Sequence, residues 1–145
     1  MSSPPTENVK AEDWTGDMGV RWVTNLSGLE ALMRWQDPEL GLISPAKFIP
    51  ILEKTGLVLD AGRWVLAQVA SDCRNWVQQG FRPPPVAVNV SPIQLRHKDF
   101  VDTVLGAAAA AQNVSGQLEL EITESVLMDS FDESVHKLQL LRKSA

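Results

Sequence analysis

The chain contains no tyrosine, one cysteine and two histidines. With Cys73 alone, no intramolecular disulfide can form, and a cysteine-based zinc site has too few ligands. Cys73 falls on the apolar stripe of a helical segment, which reads as a buried thiol. No apolar run approaches the roughly 18 to 20 residues of a membrane span. The N-terminus is polar and proline-containing and lacks the apolar stretch of a signal peptide, so no membrane association and a cytoplasmic location are expected. Lysine and arginine nowhere cluster, and the formal net charge is −5. The basic stripe of a duplex nucleic-acid surface is therefore missing. A small phosphate ligand remains open, because bound metal ions and one arginine can supply local positive charge.

At 145 residues the chain has room for one domain, and 44% hydrophobic with 21% charged residues is ordinary for a globular protein. Residues 1–27 read as a polar, mobile leader: Ser2-Ser3-Pro4-Pro5, several charges and scattered glycine show no periodicity up to Gly19. A short strand is conceivable only over 20–27, around Trp22 and Val23. Residues 28–145 carry the domain.

Its first strand is Gly28-Leu29-Glu30-Ala31-Leu32-Met33-Arg34-Trp35. At the two-residue period of a strand, Leu29, Ala31 and Met33 share one face, and Glu30, Leu32 and Arg34 share the other. Charges on an otherwise apolar strand are costly to bury without partners, so this face borders a polar cleft. Two later strands repeat the pattern. In Pro85-Val86-Ala87-Val88-Asn89-Val90-Ser91 the valines oppose Ala87, Asn89 and Ser91. In Leu118-Glu119-Leu120-Glu121-Ile122-Thr123-Glu124 the aliphatic residues oppose Glu119, Glu121 and Thr123. If the three strands lie side by side and parallel, Glu30, Asn89 and Glu121 converge. They then serve either as oxygen ligands or as solvated strand ends and ion pairs. Arg34 in turn either contacts a phosphate or pairs with Glu30 or Glu119.

Helices fill the intervals. Asp37-Pro38 and Gly41 mark a turn. Ser44 as N-cap with Pro45 at the first helical position starts a helix that Gly56 stops, with Pro50 bending it. Val58, Ala61, Val65, Val69, Cys73 and Trp76 form the stripe of a longer helix over 58–79, ended by Gly80. Trp64 lies off that stripe and is expected to pack rather than bind. Ser91 and Gln94 are expected to cap a short turn of helix, Asp99 to cap another running to about 112, and a last helix covers 132–143. His97 and His136 read as surface residues. The order of elements indicates an α/β fold with about three parallel strands, suited to part of a (β/α)₈ barrel, whose chemistry sits at the C-terminal ends of its strands. A whole barrel takes about 250 residues, so the barrel is expected to be incomplete.

These residues also carry a resemblance. Glu30-Ala31-Leu32 with Met33-Arg34-Trp35 resembles the signature of the EAL domain, the bacterial cyclic-di-GMP phosphodiesterase. Pro45-Ala46-Lys47-Phe48-Ile49, Gly62-Arg63-Trp64-Val65-Leu66, Val88-Asn89-Val90-Ser91 with Gln94-Leu95, and Glu119-Leu120-Glu121-Ile122-Thr123-Glu124-Ser125 follow in the family's order. The resemblance implies the N-terminal portion of a TIM-barrel-like domain over 28–145. It further implies Mg²⁺- or Mn²⁺-dependent hydrolysis of cyclic-di-GMP to linear pGpG. By the same resemblance Glu30, Asn89 and Glu121 match metal ligands, Arg34 a phosphate-contacting residue and Glu124 a glutamate that supports an active-site loop. Carboxylates and an amide oxygen are hard donors suited to such ions.

The chain departs from the family at both ends. The Tyr-Gln-Pro stretch of the family's opening strand is absent, and so are the Asp-Asp-Phe-Gly stretch and the later lysine, glutamate and glutamine. Asp37 replaces a histidine common before the proline. The catalytic set is thus incomplete, the isolated chain is expected to be inactive, and metal occupancy is not assured. Two other roles stay open: a regulator that binds cyclic-di-GMP or a protein partner, and an enzyme completed by a second polypeptide. Parallel strands without closing neighbours leave hydrogen-bonding edges open, so the chain alone is expected to be marginally stable, to oligomerise through those edges, or to aggregate.

Overall fold

Parallel strands cannot be joined by tight turns, and each connection between the parallel strands of this sheet runs through helices. The computed structural model describes residues 17–24, 28–111, 118–123, 128 and 131–144. Along them run β1 (Asp17–Thr24), β2 (Leu29–Asp37), β3 (Gly41–Ile43), α1 (Pro45–Thr55), α2 (Val58–Gln78), β4 (Val86–Asn89), α3 (Pro92–Arg96), α4 (Phe100–Ala110), β5 (Leu118–Glu121) and α5 (Phe131–Ser144). The sheet order is β1-β2-β4-β5, with β3 attached to β2. The expected parallel trio is β2, β4 and β5. β1 and β3 add antiparallel neighbours to β2.

β1 takes up part of the stretch where a short strand was conceivable and begins earlier, at Asp17, so residues 17–24 belong to the sheet. The β1 backbone pairs with β2 from Asp17↔Gln36 to Thr24↔Leu29. The amides on that side of β2 need partners, and a ladder meets the need through backbone groups alone, whatever the side-chain period of the incoming strand. β3 was hidden for a similar reason. The expected turn after Asp37 is present, with Asp37 Oδ1 accepting the amides of Glu39 and Leu40, each at 2.8 Å, and Gly41 at φ 76°. That turn folds the chain back so that Gly41–Ile43 pairs with the end of β2.

The helices start and stop close to the expected residues, with some differences at the caps. Ser44 has the extended backbone of an N-cap and Pro45 follows it, but the serine side chain makes no cap bond. Its carbonyl accepts instead from Lys47 and Phe48. α1 runs through Pro50 and ends at Gly56, whose φ of 80° is the left-handed conformation that glycine adopts without strain. Asp99 likewise makes no side-chain cap; its amide donates to His97 Nδ1. α2 buries the expected Val58, Val65, Val69 and Cys73 and adds Gly62, Leu66 and Ala70. Trp64, expected to pack, is 38% exposed because it points off the buried stripe.

Two clusters form the core. The larger joins Ala31, Val86, Val88 and Val90 of the sheet side to Val65, Val69 and Cys73 of α2 and to Phe100 and Val104 at α4. The smaller sits under α1, where Trp35, Phe48, Leu52 and Val58 close together and Trp35 meets Phe48 edge-on at 6.2 Å. Burial of each such large side chain is worth about 1.5–3 kcal/mol. Both clusters lie on the helix-covered face and leave the other face of the strands to polar groups.

Candidate functional site

Parallel pairing aligns Glu30 with Ala87 and Asn89 with Glu121. Asn89 lies two residues beyond Ala87 on the same face, so it leans diagonally toward Glu30 across one strand gap. Asn89 Nδ2 donates to Glu30 Oε1 at 3.0 Å. Glu121 completes the group from β5, its carboxylate close enough to that of Glu30 for the two charges to interact. The three residues expected to converge therefore do so, at the point where β4 and β5 end.

The electrostatics follow from this crowding. Partial burial pushes the Glu121 carboxyl above its ordinary value, the neighbouring Glu30 carboxylate pushes it further, and Glu119 adds to the effect. Two carboxyls held close together repel each other when charged, and a divalent cation between them relieves that repulsion. The donor set is all oxygen, which fits Mg²⁺ or Mn²⁺. Among the described residues no three His, Cys, Asp or Glu side chains gather for a metal. The cluster is two carboxylates and an amide, so water has to complete the six oxygens that Mg²⁺ takes.

Arg34 points into the same hollow from further along β2. It is half-buried, and its Nη1 donates to the carbonyl of Met33 at 2.9 Å rather than to Glu30 or Glu119. The hollow has a volume of about 370 Å³; Arg34, Asn89 and Glu121 line it together with apolar residues of the helix-covered side such as Ile49, Val65 and Leu66, and Glu30 lies outside that lining. That volume is within the range of about 300–1,000 Å³ found for small-molecule sites. Glu124, the residue matched to a loop support, lies outside the described residues.

Immediately after Asn89 the chain is tied down. Val90 donates its amide to the carbonyl of Glu121 at 3.0 Å. Ser91 and Gln94 form a reciprocal capping box: the Ser91 amide donates to Gln94 Oε1 at 3.0 Å, and the Gln94 amide donates to Ser91 Oγ at 3.2 Å. The expected cap is present. Sequence reading passed over two residues that hold this turn, Gly62 and Lys137. The signal for Gly62 was legible, since a lone glycine within a helical pattern marks a close approach. Lys137 gave none, because its partners Leu95 and His97 lie about forty residues away in the chain.

Comparison with known proteins meets this geometry. A family model described as the EAL domain matches residues 22–144. The bifunctional diguanylate cyclase/cyclic di-GMP phosphodiesterase MucR of Pseudomonas aeruginosa is 40% identical over 114 residues, 79% of this chain and 17% of that protein. The cyclic di-GMP phosphodiesterase PA2567 of the same organism is 37% identical over 102 residues, 70% of this chain and 17% of that protein. The chain thus spans less than a fifth of the length of these curated relatives. Among solved structures, a PaMucR phosphodiesterase in complex with c-di-GMP superposes with a TM-score of 0.81 at 34% identity, over 88% of this chain and 55% of that one. An incomplete barrel sheet ending in Glu30, Asn89 and Glu121, matched along most of its length by the family, makes this chain a member of the EAL domain family, related to the cyclic-di-GMP phosphodiesterases.

Proposed function

We propose that this chain forms the metal- and nucleotide-holding part of a cyclic-di-GMP phosphodiesterase domain. Glu30, Asn89 and Glu121 would be the oxygen ligands of Mg²⁺ or Mn²⁺, and Arg34 the contact to a phosphate. The observation that carries this reading is the convergence of those three oxygen-bearing side chains from three parallel strands, with the Glu121 carboxyl pushed up by burial and then by the Glu30 charge. The likeness to a phosphodiesterase solved with c-di-GMP supports the choice of ligand.

When bound, the metal supplies Lewis-acid neutralisation of the phosphodiester and a more acidic water. The chain's own residues do the rest. Glu30 and Glu121 hold negative charge on the site face of their strands. Asn89 orients the Glu30 carboxylate through its amide. Arg34 exchanges a single bond to its own backbone for a two-pronged one to phosphate, a gain available to a guanidinium fork. Glu124 is assigned to support of the neighbouring loop. Two carboxylates and an amide do not suffice for the paired ions of a two-metal site, so the 145 residues alone bind without turning over. Binding without turnover is also what a regulatory module requires. The outer strands β1 and β5 are the sheet's edges among the described residues, and through them a second copy pairs. The reading places the domain in the cytoplasm.

Calorimetric titration of the purified chain with cyclic-di-GMP, with Ca²⁺ in place of Mg²⁺ to suppress turnover, tests this. Saturable heat that Arg34→Ala abolishes is the expected result. No heat from a demonstrably folded sample overturns the assignment of the ligand.

A further inference from the structure

We propose that Gln94 is a positioning residue for the oxygen cluster: it fixes the end of β4, and with it the Asn89 carboxamide, by bracing the first turn of α3 against α2. The inference rests on Asn89 belonging to the site as read above. α3 spans five residues, Pro92–Arg96, too short a helix to hold its own shape. It is held from outside at both ends. At its start the Gln94 side chain accepts the Ser91 amide through Oε1, while its Nε2 lies against Gly62 of α2. A Cβ at position 62 would collide with that amide, so the approach exists only because the residue is glycine. At its end Lys137 of α5, with a side chain 12% exposed, donates to the carbonyls of Leu95 at 2.8 Å and His97 at 3.0 Å and pairs with Glu133 at 3.1 Å.

Only Val90 separates the braced Ser91 amide from Asn89. Val90 is itself bonded to the Glu121 carbonyl. The direction in which Asn89 leaves the backbone is thereby set from its C-terminal side, and its 3.0 Å bond to Glu30 depends on that direction. Stabilising α3 alone requires the Ser91–Gln94 box but no close contact with α2. The contact at Gly62 adds a fixed wall, which is what placement demands.

The test uses the ¹⁵N-labelled chain without metal and reads the side-chain amide pair of Asn89, identified by its loss in Asn89→Asp. Gln94→Leu keeps the bulk but removes the acceptor. The Asn89 pair should move toward free-carboxamide positions and exchange with solvent about three- to tenfold faster, the worth of one net hydrogen bond. Gln94→Glu keeps the acceptor and the capping box, and should restore the wild-type resonances. A purely structural role predicts a lower melting temperature with the Asn89 pair unmoved. If Gln94→Leu does not fold, Ser91→Ala carries the test, with the same direction expected. An unmoved Asn89 pair in either folded variant overturns the proposal. Mn²⁺ added to the wild-type chain checks the ligand reading separately: no paramagnetic broadening at Asn89, with the Gln94→Leu effect intact, rejects the metal site and leaves the positioning role standing.

Discussion

On the helix-covered face of the sheet, Ala31, Val86 and Val88 are sealed beneath α2 and α4, and Trp35 is sealed beneath α1. On the opposite face Asn89, Glu119 and Glu121 are exposed, with Glu30 and Arg34 half-buried beside them. The same strands build both faces, and alternate residues are assigned to each. The apolar set gains its free energy from packing and is insensitive to what the polar set binds. The polar set places like charges together, and burial and the Glu30 charge raise the pKa of Glu121. A one-residue slip in register would exchange the two sets, so the register that makes the core also makes the site.

Two substitutions set the faces against each other. Trp35→Ala empties the centre of the smaller cluster, removes the edge-on contact with Phe48 and should cost about 3–5 kcal/mol in urea unfolding. A polar-face change such as Asn89→Ala should stay within about 0.5 kcal/mol. Equal losses from the two would erase the distinction.

Gly62→Ala has a smaller effect and an unusual sign. In an open helix the change gains about 1 kcal/mol of propensity. Here the added methyl meets the Gln94 amide, and overpacking of that kind costs about 1–3 kcal/mol. The melting temperature is expected to fall. A rise would mean that Gln94 yields freely and that the approach of α2 to α3 is not tight.

The smallest effect is a slope. The folded chain holds the Glu121 proton more tightly than the unfolded chain, because burial and then Glu30 raise its pKa. By linkage the metal-free chain therefore loses stability as pH rises from the ordinary carboxylate value through the raised one. Glu121→Gln should flatten that segment of the stability–pH curve, and Mn²⁺ should flatten it in the wild-type chain by replacing the proton. A slope unchanged in Glu121→Gln would place its source elsewhere.

Much of this was legible in the residues because it is periodic. The alternation at Glu30, Asn89 and Glu121 carried their convergence, and the stripe from Val58 to Cys73 carried α2. What escaped is not periodic. β1 is recruited by the backbone of β2, and β3 by a turn that Asp37 and Gly41 fold back on that strand. Arg34 could be placed on the site face from spacing, but its bond to the Met33 carbonyl is a choice of rotamer. Trp64, off the buried stripe, remains 38% exposed. The grip of Lys137 on α3 joins parts of the chain that no local pattern connects.

The claim that the polar face is built for a divalent cation is tested most directly by titrating Mn²⁺ against the chain and following the free-ion paramagnetic signal, with Glu30→Gln in parallel. The account predicts that the wild-type chain removes free Mn²⁺ saturably, that Glu30→Gln does not, and that the two unfold at closely similar urea concentrations. Equal uptake by both, or none by a folded wild-type chain, would contradict it.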